Sequence, residues 1–112
     1  MITNAFVKTA ETYWVKIYMS GPIEIAKQVC RVSCLAKGLC ITIEPTLFVY
    51  TGGEEAGFII GLINYPRFPS NQSDIWGRAR ELADDLLEAT SQFSTLLMDP
   101  EHTEWITLRE IK

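Results

Sequence analysis

A chain of 112 residues is the length of one domain, and with 47% apolar and 21% charged residues it can fill a core and keep a wettable surface. That composition excludes a disordered tail, a collagen-like repeat and a coiled-coil rod. Ten bases against fourteen acids leave a formal charge of −4, which argues against binding nucleic-acid backbones, where clustered positive charge is needed.

Residues 1–11 form an amino-terminal segment whose Ile2, Phe6 and Val7 are available to pack on a sheet; it lacks the basic-then-apolar pattern of a signal peptide. Thr12 to Met19 alternates, with Tyr13, Val15, Ile17 and Met19 on one side and Trp14, Lys16 and Tyr18 on the other, the period of a strand. Ser20-Gly21-Pro22 ends it and opens a helix: Ser20 or Gly21 caps, and Pro22 suits the first helical position, where its missing donor is harmless. Ile25, Val29, Val32 and Ala36 follow helical spacing, and Gly38 closes the helix. Leu39 to Tyr50 reads as a strand bent or bulged at Pro45. Thr51-Gly52-Gly53-Glu54-Glu55 is a turn, and Gly57 to Tyr65 is the returning strand.

Pro66 to Asn71 forms a stiffened loop before a second helix capped by Ser73 or Asp74. Its inward stripe is Ile75, Ala79, Leu82 and Leu86, and Arg78, Glu81, Asp85 and Glu88 face water. Phe93 to Met98 is a fourth strand, Asp99-Pro100-Glu101-His102 turns the chain, and Glu104 to Ile111 returns as a fifth. The order β-α-β-β-α-β with an additional C-terminal strand predicts an α+β, ferredoxin-like plait over residues 1–112, with both helices on one face of an antiparallel sheet.

Such a sheet has a second face, and the strands are apolar on both sides: Phe58, Ile60 and Leu62 alternate with Ile59, Ile63 and Tyr65. An apolar uncovered face needs a cover. Trp14, Tyr18, Phe58 and Ile60 are the expected dimer or partner face, and a homodimer is the expected assembly.

The spacing of Cys30, Cys34 and Cys40 is not that of a zinc knuckle and reads as packed small apolar residues, so neither metal nor cofactor is expected. Three cysteines this close together do not make a secreted disulfide scaffold, which points to a reducing cytoplasm. His102 is the only histidine and falls in a turn. The glycines around Glu54 lack the lysine and following helix of a phosphate loop. Gly57 and Gly61 make a trough for a neighbouring aromatic or a ligand.

Arg67 is the only base between Lys37 and Arg78, and it sits with Tyr65 and Phe68 between prolines that limit loop freedom. The expected binding surface joins the hairpin turn (Tyr50, Glu54, Glu55) to this loop (Tyr65, Arg67, Phe68). Sheet aromatics without a basic signature speak against RNA, and no apolar run reaches the ~20 residues that span a bilayer.

In being short, acidic and single-domain without a catalytic motif, the chain resembles small phage- and prophage-encoded proteins, a resemblance that implies inhibition or sequestration of a host component. The resulting expectation is a non-enzymatic binding module for a protein or small molecule. Two alternatives stand beside it: a small plait-class enzyme using Glu44 or Glu54 as acid or base near Arg67, and a structural subunit of a larger assembly.

Overall fold

The structure is a computed structural model that describes residues 4–37 and 40–109. Seven elements follow in order: β1 (Trp14–Ser20), α1 (Ile23–Lys37), β2 (Ile41–Tyr50), β3 (Gly53–Ile63), α2 (Gln72–Thr90), β4 (Ser94–Met98) and β5 (Thr103–Thr107). The strands form one antiparallel sheet in the order β2-β3-β1-β4-β5, with α1 and α2 on one face. This is the ferredoxin-like plait with a fifth strand beside β4.

Period-two alternation sorts β1 cleanly. Val15, Ile17 and Met19 lie under the helices with Phe58, Ile60, Leu62 and Leu97, all essentially buried. Each fully buried large side chain contributes roughly 1.5–3 kcal/mol relative to exposure. From the helices Ile75, Trp76, Ala79, Leu82, Ala83, Leu86 and Leu87 complete the core. The inward stripe of α2 is therefore the expected one, widened by Trp76, Ala83 and Leu87.

Helix α1 turns otherwise than its spacing predicts. Ala26, Cys30 and Ser33 are its buried residues, whereas Ile25 and Val32 are 42% and 57% exposed. Small residues on the packed side let the helix lie close to its neighbours, and larger apolar ones are displaced outward. Gly38, expected to close this helix, and Leu39, expected to begin β2, lie outside the described residues, as do Ile2 and Ile111.

Helix α2 is capped by Asn71, two residues before Ser73 and three before Asp74: the Asn71 side chain accepts a hydrogen bond from the Asp74 amide at 2.8 Å. It ends at Ser91, whose left-handed backbone (φ 56°) lets the Gln92 amide donate back to the Leu87 carbonyl at 3.1 Å.

β2 and β3 are joined by a two-residue turn, with Tyr50 opposite Gly53 and the positive φ of Gly52 (92°) closing it. Pro45 makes no bulge, since the ladder runs unbroken through the Pro45–Phe58 pair. β2 is an edge strand, where a missing donor can face solvent. Among the described residues of the amino-terminal segment, Phe6 and Val7 do not pack on the sheet, being fully or almost fully exposed.

The register also corrects the expected partner face. Tyr18 pairs with Ile59, not with Phe58, so Trp14 and Tyr18 lie on the open face while Phe58 and Ile60 are fully buried beneath the helices. A one-residue step along a strand exchanges faces, and the β1–β3 pairing that fixes the step is a long-range contact.

Candidate active site

The register arranges the open face in rows that run across the sheet. One row reads Glu44, Ile59, Tyr18, Leu96, Trp105. The next, toward the hairpin, is made of small residues: Thr46, Gly57 and Ser20, then Ser94 and Thr107. Beyond it stand Phe48 and Glu55, and then Tyr50 opposite Gly53. A row of glycine and hydroxyl side chains between two rows of aromatic ones leaves a trough.

That trough is a cleft of about 160 Å³ floored by Ser20 and Ser94 and walled by Tyr18, Leu96, Trp105 and Phe48. Ser94 donates to Thr107 at 2.8 Å, and Trp105 remains 59% exposed. Phe48 folds over Gly57, where a Cβ would run into its ring and into the Met19 carbonyl. The expected glycine trough is thus filled at Gly57 by an aromatic and at Gly61 by Thr42.

At the hairpin end of the cleft stands Glu55. It accepts a hydrogen bond from the Tyr50 phenol at 2.9 Å and has the Ser20 hydroxyl beside it. These donors hold its carboxyl below the usual range, Ser20 contributing most, and the same bond raises the Tyr50 phenol, which stays protonated. Glu55 is therefore an anion at neutral pH and a weak base. Its fixed lone pairs suit a pair of hydroxyl donors or a nearby cation.

β5, which carries the Trp105 wall, is locked to α2. The Asp99 carboxylate, its side chain 5% exposed, accepts from the Trp76 indole at 2.7 Å, from Gln72 at 2.9 Å and from the Glu101 and His102 amides at 2.8 Å each. Burial raises its pKa, but these four donors together outweigh burial and the net shift is strongly downward. His102 stacks on Trp76 with ring centroids 4.8 Å apart, and Arg80 reaches Glu104 through two hydrogen bonds of 3.2 and 2.6 Å. The lone histidine is thus part of a structural clasp. Gln72 Oε1 is buried without a partner beside it.

The surface expected from the sequence does not form. The hairpin turn and the Tyr65–Phe68 loop sit at opposite ends of β3, eleven residues long, which separates them by about 30 Å at the usual strand rise. Glu54 and Glu55 also part company, Glu54 pairing with Val49 on the side of the helices. Tyr65 and Phe68 stack at 6.5 Å and Arg67 lies over Phe68 at 5.3 Å, with no ion pair to Arg67 among the described residues. None of the expected binding residues lines the cleft: Glu55, bonded to Tyr50, stands one row nearer the hairpin, and of the expected partner face only Tyr18 is a lining residue.

Sequence reasoning missed Ser20, Phe48, Ser94 and Trp105. Part of the signal was there: a two-residue turn at Thr51-Gly52 sets Phe48 opposite Glu55. The three cysteines are free, and burial pushes the Cys30 thiol up to about 11, a packed thiol rather than a nucleophile. Among the described residues no group of histidine, cysteine and carboxylate side chains is placed to hold a metal, and no helix is long and apolar enough to cross a membrane.

No protein-family model matches this chain, and no curated protein matches it. Two solved structures do share its fold over almost the full length of both chains. Both are of phage S-adenosylmethionine lyase. The apo form is 15% identical and superposes with a TM-score of 0.66, covering 89% of this chain and 92% of the other. The complex with S-methyl-5′-thioadenosine is 13% identical, also at 0.66, covering 98% and 100%. The periplasmic divalent cation tolerance protein CutA from Archaeoglobus fulgidus is 17% identical over 91% and 89%, with a TM-score of 0.46.

At such identities the likeness is one of fold. It nonetheless overturns the expectation of a non-enzymatic binding module, which rested on a plait without a catalytic motif: the solved structures that share this plait at 0.66 are those of an enzyme. They also agree with the resemblance to phage proteins.

Proposed function

We propose that this chain is a phage-type lyase that cleaves S-adenosylmethionine, releasing S-methyl-5′-thioadenosine, in the trough of the open sheet face. The observation that carries this reading is Glu55, an anion bonded to Tyr50 in the row next to an aromatic-walled cleft. The fold shared with a lyase that was solved holding S-methyl-5′-thioadenosine supports it.

The chemistry suits the residues. The carbon–sulfur bond breaks with both electrons going to sulfur, so a sulfonium becomes a neutral thioether and needs no acid to assist its departure. The four-carbon remainder satisfies its electron demand with its own carboxylate, or by loss of a β-proton to water. Binding and desolvation then supply most of the acceleration. Phe48, Tyr18 and Trp105 offer π faces to a purine and to the sulfonium. Glu55 accepts from the ribose diol.

The open face and the hairpin also favour self-association. Leu47, Val49 and Tyr50 are 55%, 74% and 52% exposed on a hairpin that outruns the helices, and Trp105 and Ile63 add to the apolar surface. Two copies facing each other, with the trough in the seam, cover Tyr50, Ile63 and Trp105, whereas Leu47 and Val49 lie on the helix side of the hairpin. The three free thiols fit a reducing cytoplasm.

Purified protein incubated with S-adenosylmethionine is expected to yield S-methyl-5′-thioadenosine, read by chromatography with mass detection. A preparation that neither consumes the substrate nor binds the thioether nucleoside overturns the reading. Native mass spectrometry with S-methyl-5′-thioadenosine is expected to show a homodimer retaining the nucleoside; a bare monomer removes the seam.

A further inference from the structure

We propose that Lys16 receives the carboxylate of the aminoacyl portion of the substrate, and so separates a substrate that carries this group from a product that has lost it. The proposal rests on the reading of the trough as a site for S-adenosylmethionine.

Lys16 is the only basic residue in any of the five strands. It lies on the open face, opposite Gly61 on one side and Met98 on the other, one row beyond Tyr18. Its neighbours in that row, Thr42, Gly61, Met98 and Thr103, are uncharged. Lys16 takes part in none of the ion pairs among the described residues; its ammonium leans on the Trp14 ring at 5.3 Å from the centroid. A cation–π contact at a partly exposed site is weaker than a charge-assisted hydrogen bond, so a carboxylate can draw the ammonium away from it.

The spacing fits one elongated ligand. Two row steps separate Lys16 from Ser20, about 13 Å at the usual rise, and the Glu55 row is one step further, about 20 Å in all between backbones, a span the two long side chains shorten. Tyr18 stands midway on the same face. A nucleoside seated between Phe48 and Trp105, its diol on Glu55, directs its 5′ substituent along β1 past Tyr18. The sulfonium then meets the aromatic row, and the carboxylate ends near the single cation. Charges alternate accordingly along the path: the Glu55 anion, π faces, then the Lys16 cation.

The test is Lys16→Met, which keeps the stem and removes the charge, with Lys16→Arg as the rescue. KM for S-adenosylmethionine is expected to rise about tenfold in Lys16→Met, the loss of one charge-assisted bond, and to recover at least partly in Lys16→Arg. The Kd for S-methyl-5′-thioadenosine stays at the wild-type value because that molecule has no carboxylate. Added salt raises the wild-type KM more than that of the variant. An unchanged KM, or a loss of nucleoside binding equal to the rise in KM, overturns the role of Lys16. Failure of the wild-type protein itself to turn over or bind either compound brings down the underlying activity instead.

Discussion

Glu55→Gln should lower kcat/KM for S-adenosylmethionine by about a hundredfold, with the thermal midpoint nearly unchanged. The carboxylate is exposed and supports no part of the core, so its removal leaves the fold standing. What is lost is an anion already oriented by Ser20 and Tyr50. A hydrogen bond to a charged group contributes about 1.5–3 kcal/mol, and two ribose hydroxyls use both oxygens, which sets the size of the effect. Tyr50→Phe removes one of the two orienting donors and should cost only a few-fold. Steady-state kinetics decide the matter, and a Glu55→Gln protein as active as the parent would falsify the assignment of Glu55.

The largest expected loss of stability follows Asp99→Ala. It leaves the Trp76 indole, the Gln72 amide and two backbone amides without their acceptor in a region where Asp99 itself is almost wholly covered. Each orphaned buried donor costs about 1–3 kcal/mol, so a total of about 3 kcal/mol or more is expected even with partial rescue by water. Asp99→Asn isolates the charge. The folded-state pKa of Asp99 is depressed, so its contribution is complete above the unfolded carboxylate value near 4 and is lost as pH falls below it toward the folded value. Urea unfolding across pH 2–6 is expected to give a shallower acid decline for Asp99→Asn than for the parent. Equal declines would show that the carboxylate gives the fold nothing.

Much of the architecture was legible in the residues. Alternation in β1, the glycine turn and the stripe of α2 are local patterns, and with the crossover rule they leave few topologies. What could not be read locally was the pairing between distant strands. Phe58 and Ile60 look as suitable for an open face as Ile59 until β1 is set against β3, and only that contact decides. Helix α1 misled for a related reason: its apolar residues occupy more than one face, and the tertiary neighbours chose the small ones. The site suffered most. Its floor, Ser20 and Ser94, consists of residues without chemical signature, brought together from strands more than seventy positions apart, whereas the proline-flanked Arg67 loop drew attention by composition and stands at the far end of the sheet.

Pro45 leaves its mark on how copies of this chain can meet. The outer margin of β2 is bare, and a bare margin invites a foreign strand to zip onto it backbone to backbone. A proline there removes one rung of that ladder, and the neighbouring Glu44 adds a charge. Growth of an endless ribbon is discouraged at this border.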